Sequence, residues 1–330
     1  MSSWVAFFAG IIALIGIYSM LSLALNLQFG YAGLINFGIV AFFAVGAYTY
    51  SIITVAPPGP GADYIIGLGW PKLAGLIAAG VVTVVFAFLI GLPTLRLSGE
   101  YLALVTFAFA EVVKSIITNE KWLTNGVGGF TRQAQPFRDY FGSGQSYEVF
   151  FALLVLAALA LVYFLIERIC QAPFGRMLKS LRENEEVAIS IGKNIYGIKM
   201  KSFLLGALVA GVAGAFYVWY ATLVVPDMFE ADVTFIAWIA LIIGGAGNNR
   251  GAIIGTLVLI MTQEMSRFFQ ASADMAEVLA AFRYIVIGLM LVLVLRFRPN
   301  GIFPEKKVIS GYSPEELKGM EAMACSKLKE

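Results

Sequence analysis

The chain has 330 residues, of which 59% are hydrophobic and only 13% charged. Soluble domains carry about 25% charged residues, so the composition excludes a water-soluble globule and makes lipid the solvent for most of the chain. The net charge of +2 is silent on nucleic acid, which is not expected as a partner, and the distribution of charge matters instead; the absence of His removes imidazole metal sites and Ser-His or Cys-His catalysis. The two cysteines, Cys170 and Cys325, are too few for a disulfide framework. No catalytic residue, metal ligand or cofactor is expected.

A helix needs roughly 20 apolar residues to cross a bilayer. In chain order the candidate spans are Val5–Leu25, Gly33–Val55, Lys72–Leu95, Tyr101–Thr118, Ser146–Ile166, Lys201–Val225, Val233–Gly245, Ala252–Phe269 and Val278–Leu295. The first follows a neutral "MSSW", with no Lys or Arg before Lys72, and reads as a retained span rather than a cleaved signal. The fold class is an all-α polytopic membrane protein of about nine transmembrane or re-entrant helices. Residues 1–298 form the membrane domain and residues 299–330 a short cytoplasmic tail. In that tail "SPEEL" predicts a short helix, with Ser313 as cap, Pro314 in the first turn and Glu316 three residues after the cap.

Orientation follows from Lys and Arg. The 168–201 loop carries Arg168, Arg176, Lys179, Arg182, Lys193, Lys199 and Lys201, and the segment after the last span carries Arg296, Arg298, Lys306 and Lys307. Both are expected inside, and the four spans between them agree in parity. The N-terminus, "NEKWLTNGVGGFTRQAQPFRDYFGSGQS" and "VPDMFEADV" then fall outside.

Two Gly- and Asn-bearing stretches interrupt the apolar runs in corresponding places. One is "NLQFGYAGLINFG", with Asn26, Gly30, Gly33, Asn36 and Gly38; the other is "GGAGNNRGAIIG", with Gly244, Gly245 and Gly247. Broken helices in lipid must have their freed peptide groups satisfied by protein or a wet cavity, so a pair of breaks points to a transport path. The competing reading is two tight turns in closely packed helices. "GALVAGVAGA", Gly206–Ala215, has small residues three to four apart and predicts close helix contact.

Ionisable residues within spans come in pairs at helical spacing: Glu111 with Lys114, and Glu264 with Arg267; Arg283 stands near the start of the last span. Lying toward the outer helix ends, they read as snorkelling or interfacial charges, against a proton or ion relay.

"FGRMLKSLRENEEVAISIGKNIYGIKMK", Phe174–Lys201, is the most charged stretch. Met177, Leu178, Leu181, Ala188 and Ile191 recur at roughly helical spacing, with Arg176, Lys179, Arg182, Glu183, Glu186 and Lys193 between them. The pattern predicts one or two short amphipathic helices. A solvated positive-inside loop would need no acidic "ENEE"; a mixed-charge helix with an apolar stripe is a docking surface. The chain has no G-x-x-x-x-G-K-[ST], and "GGAGNNRGA" lacks the phosphate-reaching Lys, so an energy source must come from elsewhere.

Together these stretches resemble the membrane permeases of branched-chain amino acid ABC transporters, in particular the LivM-type subunit. The resemblance is carried in order by "LALNLQFGYAGLINFGIVAFFAVGAY", "LPTLRLSGEYLALVTFAFAEVVKSIITNEKWLTNGVGGF", "FGRMLKSLRENEEVAISIGKNIYGIKMKSF", "IIGGAGNNRGAIIG" and "LRFRPNGIF". It implies a cell-membrane complex with a second, LivH-type permease subunit, two cytoplasmic ATPase subunits that bind the ATP, and an extracytoplasmic substrate-binding protein. The charged loop would then contact an ATPase, with Gly175, Arg176, Arg182, Glu183, Asn184, Glu185 and Gly192 matching the family's loop motif. Departures are Lys193 in "GKN", where the family has an apolar residue, and Asn248 and Arg250 in "GGAGNNRG". The implied function is translocation of branched-chain or similar apolar amino acids. Permeases for urea or short-chain amides share the architecture, and a stand-alone ion-coupled carrier is the rival from another class.

Overall fold

The computed structural model describes residues 2–58, 64–97, 99–131, 133–141, 144–190, 192–265 and 273–305. Long helices occupy the predicted apolar runs: α1 (Ser2–Leu25), α2 (Ile39–Thr54), α3 (Lys72–Thr94), α4 (Glu100–Asn119), α6 (Gly144–Gln171), α9 (Ile195–Ala221), α10 (Ala231–Gly244), α11 (Asn249–Met265) and α12 (Ala273–Phe297). Short helices α5 (Lys121–Thr124), α7 (Pro173–Glu183) and α8 (Glu185–Ser190) lie in the connections. The only pairing of extended chain among the described residues is a single antiparallel bridge, Phe130 to Val224. An all-helical membrane body is what the lipid demands, because each helix satisfies its own peptide groups. Ile191, Arg267 and the "SPEEL" stretch lie outside the described residues.

Among the described residues five helices are long and apolar enough to cross a membrane. The expectation of nine separate spans is modified in two places. The second span begins at Ile39 instead of Gly33 and is 16 residues long. The chain before it is occupied by a wide π-helical turn, Asn26–Tyr31, and by the extended residues that follow. The seventh and eighth runs form a pair bent by 118° at a short break, which makes them one broken span or a re-entrant hairpin. As a re-entrant hairpin the pair returns the chain to the side it left and keeps the predicted parity, in keeping with the contact of Glu305 with α7; as one broken span it would reverse it.

Helices α1 and α9 form the centre. In their most apolar windows 78% and 67% of residues are buried, against 28% in each of α3, α4 and α6. The outer helices turn Leu73, Ile77, Val81, Leu104, Leu153 and Phe164 outward, a lipid-facing belt rather than a defect of packing. At one end, where the chain passes from α9 to α10, Lys114 pairs with Glu230 at 2.8 Å. Its ion-pair partner is therefore across the fold, not the Glu111 one turn away.

Candidate functional site

The two helix breaks meet. Asn26, wholly buried, donates from its amide to Asn249 Oδ1 at 2.8 Å and accepts the Gly247 N–H at 2.8 Å. Asn249 in turn donates to Glu167 Oε2 at 2.7 Å, tying α6 to both breaks. Gln28 donates to the Phe203 carbonyl at 3.0 Å, Asn36 donates to Gln28 Oε1 at 2.8 Å, and Asn36 Oδ1 accepts the Gly38 N–H at 2.7 Å. Trp238 donates to the Asn36 carbonyl at 3.1 Å, and its ring lies between Phe29 and Phe37 at 4.6 and 4.9 Å. Peptide groups beside the two breaks, the Asn36 carbonyl and the Gly38 and Gly247 N–H groups, are thus paired by buried amides and indole, as a helix break in a membrane protein requires.

Glycine is needed where the breaks touch. A Cβ on Gly30 would stand 2.0 Å from Asn26 Oδ1 and 2.5 Å from the Gly247 nitrogen. Gly247 itself has φ +83, and its added Cβ would meet Glu305 Oε2 at 2.7 Å. Gly244 and Gly245 are pressed against the Gly251 and Phe303 carbonyls, and Gly38 against that of Thr106. Gly33 faces the Arg182 side chain. In this conformation protein atoms fill the space beside every predicted pathway glycine.

The second break is closed by the chain after α12. Ile302 and Phe303 donate their N–H groups to the Ile243 and Gly244 carbonyls at 2.9 Å each. These are C-terminal carbonyls of α10, which have no partner within the helix. Residues 299–305 therefore lie against the membrane domain, and they place Glu305 beside α7.

The amphipathic prediction for the charged loop gives α7 and α8. Pro173 opens α7, and Gly175 lets it cross tightly over the end of α6, where a Cβ would reach 1.9 Å from the Cys170 carbonyl. Leu178, Leu181 and Ala188 are buried, with Met177 half-buried. Arg182 donates to the Gly30 carbonyl and pairs with Glu305 at 2.6 Å; Lys179 pairs with the other Glu305 oxygen at 2.7 Å. Glu185 accepts from Lys199 at 2.8 Å. Arg182 and Glu185 are thus engaged within the chain, and Arg176, Glu183 and Asn184 lie on the exposed face. Gly192, at φ +72, turns the chain from α8 into α9, whose first turn is capped by Asn194 accepting the Gly197 N–H at 3.0 Å.

An open cavity of about 1040 Å³ joins the two regions. Phe29 of the first break and Ala246 of the second line it with Arg176, Lys179, Arg182 and Glu183 of α7. Among the described residues no cluster of acidic or cysteine side chains forms a metal site. Sequence reasoning missed Glu167, Lys179 as an ion-pair partner, Asn249 and Glu305. Asn249 was within a singled-out stretch; Glu305 stands two residues beyond the "LRFRPNGIF" landmark and carries no local signal of its pairing.

Comparison with known proteins matches residues 7–295 to the family described as branched-chain amino acid transport system / permease component. The chain is 30% identical over 323 residues to the probable branched-chain amino acid transport permease protein LivM of Methanocaldococcus jannaschii, covering 89% of this chain and 92% of that protein. To the high-affinity LivM permease of Salmonella typhimurium it is 29% identical over 331 residues, covering 93% of this chain and 72% of the relative. It is also 24% identical over 311 residues to the LivH permease of Escherichia coli, covering 88% and 92% of the two chains. No solved structure matches. Since the match spans the paired breaks, the α7–α8 loop and almost all of the helical body, this chain belongs to the branched-chain amino acid transport permease family, on its LivM-type branch.

Proposed function

We propose that this chain is the LivM-type permease subunit of an ATP-driven importer of branched-chain amino acids, and that α7 carries the motion of the ATPases into the membrane. The carrying observation is Arg182. One guanidinium joins α7 to the Gly30 carbonyl in the first break and to Glu305, whose segment closes the second. A displacement of α7 then moves both breaks together. Phe29 and Ala246, one from each break, line the cavity beside α7, which supports a pathway bordered by Asn26–Gly38 and Gly244–Gly255. The exposed charges Arg176 and Glu183 on α7 are the groups offered to an ATPase. The contact of Glu305 with α7 supports a single side for the loop and the C-terminal segment, taken as cytoplasmic from their Lys and Arg. The likeness to LivH as well as LivM supports a second permease of the same fold as partner, packed about a pseudo-two-fold axis. A binding protein delivers substrate from the other side.

The test uses the assembled importer in proteoliposomes. Reversing Arg176→Glu together with Glu183→Arg alters only exposed charge on α7, so folded yield holds. Loss of rim charges weakens association modestly, about tenfold for two positions, and substrate-stimulated ATP hydrolysis falls with it. Uptake by the chain alone under an ion gradient, without ATPase subunits, would sink the proposal in favour of a carrier.

A further inference from the structure

The exposed side of α4 has two faces. Val105, Val112 and Ile116 point outward along one, a surface suited to lipid. Along the other, Phe107, Glu111 and Ser115 recur four residues apart, and all three are exposed. Glu111 lies eight residues inside the Asn119 end of the helix, about 12 Å at 1.5 Å per residue. Two methylenes cannot carry its carboxylate that far, so the snorkelling open to a long Lys or Arg side chain does not serve it. The cation one turn on, Lys114, is held by Glu230. An exposed carboxylate within a span calls for protein or water beside it, not lipid. By contrast, the outward faces of α3 between Val81 and Leu89, and of α12 between Ile285 and Val292, are apolar throughout.

A second stripe lies beside this one on α10. Asp232, Phe235, Ile239 and Ile242 are spaced three and four residues apart, with Asp232 and Phe235 exposed and the two isoleucines half-buried. Aromatic rings join the stripes to the first break. Phe107 meets Phe235 at 6.5 Å and Phe235 meets Phe37 at 5.8 Å; from there the contacts pass through Trp238 to Phe29. Ile242 and Phe29 line the 1040 Å³ cavity. One track of side chains thus runs from Glu111 and Asp232 to the cavity beside α7. It is walled on one side only, since this chain leaves Phe107, Glu111 and Phe235 exposed.

We infer that this α4–α10 face is the surface against which the second permease packs, which rests on the transport reading above. A polar solute moving along the track needs a second wall of protein, because lipid would leave its charges without partners. LivM and LivH relatives match 89% and 88% of this chain, so a partner of the same fold has the height to cover α4 from end to end. That partner presents a hydrogen-bond donor opposite Glu111 and apolar side chains opposite Phe107 and Phe235. The apolar faces of α3 and α12 are left to lipid.

The test uses the complete importer in its membrane. The photoreactive residue benzoylphenylalanine replaces Phe107 or Phe235 and, as controls, Val85 of α3 or Leu289 of α12. Irradiation is expected to join this chain to the second permease from the first two positions and not from the controls. Adducts from Val85 or Leu289 in place of Phe107 and Phe235, an adduct with a second copy of this chain, or none from any position would each overturn the assignment. Glu111 separates protein from lipid independently. Under a partner, Glu111→Leu strips one member from a covered hydrogen-bonded pair, and exchange of a labelled second permease in detergent reports association weaker by about tenfold or more; Glu111→Gln, which keeps an acceptor, loses less. Facing lipid, Glu111→Leu would leave association unchanged and raise the yield of inserted chain, and that result also overturns the surface. Leucine uptake is measured in the same preparation. ATP-driven uptake without adducts at Phe107 and Phe235 removes this surface alone; ion-driven uptake by this chain without the other subunits removes the importer reading and the surface with it.

Discussion

Asn26 is where the two halves of the chain are sewn together, since its amide spans 223 residues of sequence to reach Asn249 while its oxygen takes the Gly247 N–H. Replacing it by alanine would leave a backbone donor and an amide oxygen buried without partners. Each such group costs about 1–3 kcal/mol. Asn26→Ala is therefore expected to lower the thermal stability of the detergent-purified chain by several degrees and to depress uptake through loss of fold. Fluorescence-detected gel filtration after heating measures it; an unchanged melting profile would mean the breaks are held by other contacts. The charged residues of the loop teach a related point. Their helical pattern was legible, but the pattern could not say which charges are spent inside the chain. Glu185 finds its partner at Lys199, 14 residues on, but Arg182 finds its partners at Gly30 and Glu305, each more than 100 residues away and brought near only by the folded chain.

The central helices approach each other through small residues. A Cβ on Gly46 of α2 would fall 2.1 Å from the carbonyl oxygen of Gly211 in α9, and one on Gly214 would fall 2.2 Å from that of Phe43. The Gly206–Ala215 stretch predicted this closeness, though not its partner. Backbone cannot yield as a side-chain end can, so Gly46→Ala is expected to cost at least the 1–3 kcal/mol typical of overpacking. Gly288 in α12 is the control: nothing lies within 4 Å of its added Cβ, and Gly288→Ala gains about 1 kcal/mol of helix propensity. Chemical denaturation of both variants in mixed micelles should move in opposite directions; equal shifts would contradict the packing account. At this scale most of the fold was legible, because lipid requires long apolar runs and helices answer that requirement locally. The two breaks were legible as interrupted apolar runs, but the π form of the first, at Asn26–Tyr31, and the 118° bend of the second, between α10 and α11, were not. Both are set by side chains and backbone from distant segments, including Ile302 and Phe303, whose N–H groups close α10.

For the whole molecule the decisive property is sidedness. Glu305 pairs with Lys179 and Arg182, so the loop after α6 and the chain after α12 share one side. The bridge between Phe130 and Val224, with reciprocal hydrogen bonds at 2.9 Å, joins the loop after α4 to the α9–α10 connection at the opposite end. Lys and Arg concentrate in the first pair of segments, which the positive-inside rule assigns to the cytoplasm. A useful reporter must be exposed: native Cys170 is 8% exposed, and its silence toward a reagent would reflect burial as much as sidedness. Gly128 and Ser190 are both exposed, on the bridge-bearing loop and on α8 respectively. A cysteine at Gly128 meets only ordinary contacts, the nearest 3.4 Å away at the Asn125 amide, and Ser190→Cys is nearly isosteric at the end of a surface helix. In intact cells a membrane-impermeant maleimide is expected to label Gly128→Cys and to spare Ser190→Cys until the membrane is opened. The reverse pattern would invert the molecule in the membrane and place the α7 face outside, out of reach of the cytoplasmic ATPases proposed above. Labelling of both from one side would contradict the single crossings by α6 and α9 that separate the two positions.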